Sequence, residues 1–426
     1  MKYHKPAFFD QFHCIGSACT DTCCAGWEIE VDETTAEGYL AEKGEFGNRL
    51  RQEIGTEPGE YFFKLKNNRC PFLNKENLCD IFINLGEDRL CDICREHPRF
   101  YNWFGDYTEV GLGLCCEEAE RLLFSDDKPL TFIEEVTQDE EADEWTEETS
   151  SEVCPEEAED EFCEEFDDKF DENLRESEKE FVEDFDENSE ESEEYEEEFD
   201  EDAECEMMLS EREAIFGILQ DRSECIGLRL KELLIQLPFA EEVLMPLTGT
   251  KYQDTESIPE WDYTRKTDIE TLKKRALYLI HFFHDMESLD ETWPNQMSEL
   301  ENQIDVLLSE KNTEEFLAYL QKEDRLYEYE HIAVYLIYRY YPEILFDGQK
   351  EAKILFAAAS ICLLFLLDEN CFLKTGSYTK HDRIELVRRF SKEIEYCPEN
   401  MERFAKSCES QYQEMLESIF CLCSLV

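Results

Sequence analysis

The sequence predicts a mainly α-helical fold led by a small, irregular, cysteine-rich, metal-binding module with short strands. Three observations point there. Ten of the twenty cysteines lie within the first 116 residues, spaced C-x4-C-x3-C-C, C-x8-C, C-x2-C and C-C. Residues 131–206 hold 40 acidic against three basic side chains, a local charge of −37 out of −65 for the chain. From residue 207 onward, apolar residues recur with helical spacing. The chain of 426 residues thus divides into a metal or iron-sulfur module (1–130), an acidic low-complexity insertion expected to be disordered (131–206) and an α-helical domain (207–426).

Within the module, Asp32 starts a short helix over Glu33 to Leu40, Tyr61 to Leu65 reads as an aromatic strand, and Val110, Leu112 and Leu114 alternate. A segment with so little regular apolar pattern needs cross-links, and metals supply them as folding free energy. Soft thiolates suit zinc or iron-sulfur clusters. The cysteines that offer them are Cys14, Cys19, Cys23, Cys24, Cys70, Cys79, Cys91, Cys94, Cys115 and Cys116, more than one four-ligand site uses, so two centres or one cluster with structural thiols both fit. No apolar stretch of signal-peptide length precedes Phe8, so a cytoplasmic location with reduced thiols is expected, rather than a disulfide framework. The radical-initiating spacing C-x3-C-x2-C is not met, since Gly26 stands where its third cysteine belongs, and a zinc ribbon would need a second C-x2-C.

The acidic segment carries Phe162, Phe166, Phe170, Phe181 and Phe185 at spacings that allow one helical face, while Cys154, Cys163 and Cys205 fit no motif. A field this negative repels phosphate backbones, which excludes nucleic acid as a partner, and attracts lysine. In the last region Thr267-Asp268 begins a helix with Ile269, Leu272, Ala276, Ile280 and Phe283 on one stripe. Further helices are expected over Ile215 to Leu237, Met297 to Leu308, Glu314 to Leu320, His331 to Tyr341, Lys350 to Leu367 and His381 to Ile394. The apolar run Ile354 to Leu367 is too short for a bilayer span and reads as a buried helix, so no membrane is expected. His281 and His284 read as ordinary helix-face residues, and Cys421 and Cys423 as incidental.

Four blocks, FDQFHCIGSACTDTCCAGW at Phe9 to Trp27, RCPFLNKENLCDIF at Arg69 to Phe82, LCDICREHPRF at Leu90 to Phe100 and EVGLGLCCEEAERLL at Glu109 to Leu123, closely resemble the flagellin lysine-N-methylases. Similar likeness extends to EHIAVYLIYRYYPEILF at Glu330 to Phe346 and RRFSKEIEY at Arg388 to Tyr396. That family belongs to a group of cysteine-cluster domains described as zinc- or iron-chelating. Carried over residue by residue, the resemblance implies nine ligand cysteines, Cys14, Cys19, Cys23, Cys24, Cys70, Cys79, Cys91, Cys94 and Cys116, whereas Cys115 stands where a serine belongs and Glu117 where a proline belongs in the family pattern. The resemblance implies a transferase that moves a methyl group from S-adenosylmethionine to lysine ε-amino groups of flagellin, in the cytoplasm. It also implies a cysteine-bound iron-sulfur cluster of the 4Fe-4S kind, with zinc as the alternative metal.

Lysine methylation needs a neutral amine, so the site must desolvate the lysine or take its proton. Tyr101 and Glu109 are the catalytic candidates, with Asp106 and Tyr107 near them in sequence. Trp103 and Phe104, with Phe100, are candidates for an aromatic wall against the lysine stem or the donor's sulfonium. Gly111 and Gly113 are isolated in the alternating segment, which disfavours a Rossmann-type donor site. Two placements of the donor stay open, against the cluster or elsewhere. The rival reading is a non-catalytic iron- or zinc-binding protein whose helical domain serves interactions.

Overall fold

In the computed structural model the described residues are 2–26, 29–136, 201–248, 250–251, 260–261 and 267–426. In chain order the first part contains β1 (Lys2–Pro6), α1 (Glu33–Ala41), α2 (Gly44–Glu53), β2 (Ile54–Glu57), β3 (Glu60–Phe63), α3 (Asp80–Leu85), α4 (Asp92–Glu96), β4 (Arg99–Phe104), β5 (Tyr107–Leu112), α5 (Glu117–Leu123) and β6 (Phe132–Val136). Strands β2 and β3 form a hairpin. The other four make one sheet in the order β4-β5-β1-β6, in which β1 runs parallel to β5 and antiparallel to β6. Only a long crossover can join parallel neighbours, and here it carries the cysteine-bearing segments from Cys14 to Cys94 between β1 and β4.

The helical part comprises α6 (Glu201–Leu219), α7 (Ile226–Leu234), α8 (Ala240–Thr248), α9 (Ile269–His284), α10 (Thr292–Asn302), α11 (Ile304–Leu307), α12 (Glu310–Lys322), α13 (Tyr327–Tyr340), α14 (Ile344–Asp347), α15 (Lys350–Thr375), α16 (Lys380–Phe390), α17 (Pro398–Ser410) and α18 (Tyr412–Leu422). Asp268 caps α9 by accepting the Thr271 N–H, and Leu272, Ala276, Ile280 and Phe283 are buried as the stripe requires, while Ile269 stays exposed. Helix α15 is long and apolar enough to cross a membrane, yet 94% of its apolar window is buried among other helices. An all-round apolar helix belongs in such a place.

Three expected helices are divided, Met297 to Leu308 among them, since α10 ends at Asn302 and α11 starts at Ile304. The run Ile215 to Leu237 breaks at Asp221, whose side chain accepts the Ser223 N–H, while Arg222 reaches Glu330. A short aspartate turn there competes with helix continuation. The run His381 to Ile394 ends as an α-helix at Phe390 and widens into a π-helical turn, Ser391–Glu395, closed by the Tyr396 N–H on the Ser391 carbonyl at 3.0 Å.

The sheet is fused to the helices rather than set apart from them. Tyr338 on α13 donates to the carbonyls of His4 and Val110, and its ring stacks on Phe132 at 4.4 Å. Residues 1–137 and 202–426 accordingly cluster as one compact unit. At the borders of the acidic segment, residues 132–136 form β6, and Cys205 is buried on α6. The expectations for Phe162 to Phe185, Cys154 and Cys163 lie outside the described residues.

Candidate functional site

The cysteines are set by short, tightly bonded turns. Cys19 closes the turn Gly16–Ala18 with its N–H on the Gly16 carbonyl, and the Cys70 N–H binds the Cys24 carbonyl at 2.8 Å. Cys79, Cys91 and Cys116 each immediately precede a helix, α3, α4 and α5, and Cys94 follows in the first turn of α4. None of these cysteines forms a disulfide.

Packing places six of the nine in two groups. Cys24, Cys70, Cys79, Cys91 and Cys94 share one small core with Ile29, Tyr39, Phe63 and Phe72. Cys116 packs in a different one, with Phe8, Phe9 and Phe12. Electrostatic neighbours divide the same way: Cys94 senses Cys91, Cys24 and Cys70, while Cys116 senses Cys19 and Cys14. The peptide from Cys23 to Cys24 bridges the groups. The Cys23 thiol is raised by its hydrogen bond to Cys24, by burial and by the charges of Cys14 and Cys116, and Cys24 falls to about 7 because Cys23 donates to it. Burial pushes Cys70 up to about 12 and Cys116 up to about 11. Among the described residues, no three His, Cys, Asp or Glu side chains are drawn close enough to enclose a metal ion as they are placed.

The first thiol loop is clamped both to α5 and to the helical part. Thr20 binds the Glu117 carboxylate through both its N–H and its hydroxyl, at 2.8 and 2.7 Å. Asp21 takes Arg388 at 3.2 Å and Lys392 at 2.7 Å.

The four residues put forward for chemistry and donor binding do not form one surface. Glu109 is fully buried and held in a two-pronged ion pair by Arg212 of α6, so neither carboxylate oxygen is left to take a substrate proton. Tyr101 donates to Glu96 at 2.7 Å, and burial with that bond raises it to about 12, well above the range of a neutral-pH base. Trp103 is 65% exposed and stacks on Tyr101, whereas Phe104 is buried against Tyr107. Alternation along β4 is the reason: residues 100, 102 and 104 face one way, 101 and 103 the other. His281 and His284 meet Glu301 and Asp285 on the helix surface, and Cys421 and Cys423 are buried in the main core.

The inward face of β4 leads to a feature that the sequence reading did not single out. Phe100 and Asn102 line a cavity of about 640 Å³ whose other walls are the end of α13, the segment from Glu343 to Lys353, the π-helical turn and α17. At its base the Arg339 guanidinium lies over the rings of Phe100, Tyr340 and Tyr396, at 4.9, 5.1 and 4.8 Å from their centres. Glu395 Oε2 accepts from Tyr335, Tyr340 and Arg339, but its Oε1 is buried with no partner. Tyr396 interacts with the Cys115 thiol, one residue from Cys116. Gly113 makes the approach possible, since a Cβ there would sit 2.0 Å from the Tyr396 hydroxyl. The signal available beforehand was an arginine among several tyrosines inside the block Glu330 to Phe346.

Fold and site together define a reduced-thiol module built into a helical domain, with a charged, aromatic-lined cavity beside it. Residues 212–422 match the family described as the FliB lysine N-methylase C-terminal domain. The flagellar biosynthetic protein FliU of Salmonella muenchen is 32% identical over 129 residues, covering 29% of this chain and 76% of that protein. Proteins named lysine-N-methylase from Salmonella typhimurium and Salmonella choleraesuis are each 31% identical over 137 residues, covering 30% of this chain. The matched segment spans about a third of those two relatives' length, 34%. This chain belongs to the flagellin lysine-N-methylase family. No solved structure matches it.

Proposed function

We propose that this chain is a protein lysine N-methyltransferase that moves methyl groups from S-adenosylmethionine to lysine side chains of flagellin in the cytoplasm. Membership of a family whose relatives are named lysine-N-methylase carries the reading. A relative named for flagellar biosynthesis supports the substrate class. The strongly acidic chain favours approach of a lysine ammonium, and an apolar, water-poor site lowers that ammonium's pKa toward the neutral nucleophile.

The cofactor proposed is a cysteine-held iron-sulfur cluster. Free thiols grouped as Cys14, Cys19, Cys23 and Cys116 on one side, and Cys24, Cys70, Cys79, Cys91 and Cys94 on the other, are the donor type it takes, and each group has enough donors for a cluster. When bound, a cluster supplies soft cross-links and Lewis-acidic iron. The chain's part is to hold the first loop in place through Thr20 and Asp21, and to screen the second group from water behind Tyr39, Phe63 and Phe72.

Incubating anaerobically purified protein with flagellin and S-adenosylmethionine should add methyl-sized mass increments to flagellin lysines. No transfer at full metal occupancy would favour a non-catalytic metal protein instead. Iron and sulfide should accompany the purified chain; zinc without sulfide would overturn the cofactor assignment.

A further inference from the structure

We propose that the cavity between β4, α13, the Ser391–Glu395 turn and α17 is the binding site for S-adenosylmethionine, with Arg339 and Glu395 holding the donor's amino-acid end. The proposal rests on the methyltransferase reading and adds a location to it. Its size is right for a small molecule: about 640 Å³ falls in the range that such ligands fill.

The polar groups at the base match a zwitterion. Arg339, whose Nη1 donates to the Tyr335 hydroxyl and reaches Glu395 Oε2, is a guanidinium confined by three aromatic rings, a fixed cation beside which a carboxylate can sit. Beside it, Glu395 Oε1 is a buried carboxylate oxygen that accepts nothing, and an unmet acceptor of this kind is costly unless a ligand's donor meets it. An α-amino acid brings both partners at once, a carboxylate and an ammonium. Phe100 together with Pro398, Met401 and Ala405 gives an apolar side for a flat base, and the ion pairs along the lining, Glu343 with Lys353 and Glu402 with Lys406, offer acceptors and donors to ribose hydroxyls. The setting of Glu395 is also unusual in the backbone. It ends a π-helical turn, a distortion found disproportionately at functional sites.

The placement answers where the donor stands relative to the thiols. Arg339 stacks on Tyr396, Tyr396 meets Cys115, and Cys116 follows in the group with Cys14 and Cys19. The donor site is therefore next to one thiol group rather than built from it.

Calorimetric titration of S-adenosylmethionine into full-length, anaerobically purified protein tests this. The wild type should bind, and Glu395→Gln should weaken binding at least tenfold. Met401→Trp fills the cavity from its half-buried wall without touching the buried polar network, and should weaken binding similarly with circular dichroism and iron content unchanged. Donor bound by Met401→Trp as tightly as by wild type would overturn the assignment while leaving the methyltransferase reading intact. A wild type that binds no donor would overturn both.

Discussion

Between Ile29 and Cys94 the enclosed core consists of eleven side chains, two of them cysteines, whereas α15 alone encloses nineteen residues within the helical domain. The larger core contains charges that the smaller lacks. Arg383 is fully buried and pairs with Glu328 at 3.0 Å and Asp368 at 2.5 Å, Arg325 shares Glu328, and Tyr329 and Tyr378 donate to Asp368. A large apolar surplus tolerates desolvated ions, which specify a register even when they add little net stability. The module has no such surplus. A metal held by its thiols, as proposed above, would supply the cross-links that such a sparse core lacks.

Removing the metal tests this difference most severely. Chelation of the reduced, full-length protein should withdraw free energy on the order of 10 kcal/mol from the module. Hydrogen exchange should then rise sharply in α3, α4 and the β2–β3 hairpin while α13 and α15 stay protected. Equal loss everywhere would mean that the two regions share one source of stability. A smaller effect is expected from Arg383→Leu, which strands Asp368 and part of Glu328 without a cation and should cost about 3–5 kcal/mol in denaturant unfolding. A cost near zero would show that the network is dispensable.

The mildest test is acidity. Burial pushes Glu369, which keeps only a hydrogen bond from Thr313, up to about 8 from an ordinary 4.5. Between those values the unfolded chain has released this proton and the folded one retains it, so stability falls as pH rises, by about 1.4 kcal/mol per unit at most. Glu369→Gln should therefore be more stable than wild type at pH 8, with the advantage gone near pH 4.5. Parallel pH profiles for the two proteins would contradict this.

Helices were legible wherever a cap and a stripe coincided. Asp268 and the run to Phe283 became α9, and Asp32 capped α1. The π-helical turn was not, because one extra residue in a turn leaves the pattern of Phe390, Ile394 and their neighbours almost unaltered. The cysteine spacing marked the module, but not its division into two groups, which depends on how Cys116 is carried to the first loop by β5 and α5. Nor could Glu109 be recognised as a structural anion, since its partner Arg212 lies 103 residues away, beyond the acidic segment. The cavity has the same origin. Arg339 and Glu395 are 56 residues apart, and only the packing of α13 against the turn after α16 brings them together.

That turn has a thermodynamic corollary. Lys392 holds Asp21 in the first thiol loop, and three residues later Glu395 faces the cavity, so both attachments hang on one short stretch of backbone. If filling the cavity shifts this stretch by any amount, the loop must respond, and linkage makes the influence reciprocal: a donor that tightens the hold on iron is itself held more tightly by the iron-loaded chain, by the same factor. Cysteine loading and donor affinity would then be two readings of a single equilibrium, with Ser391–Glu395 as the shared lever.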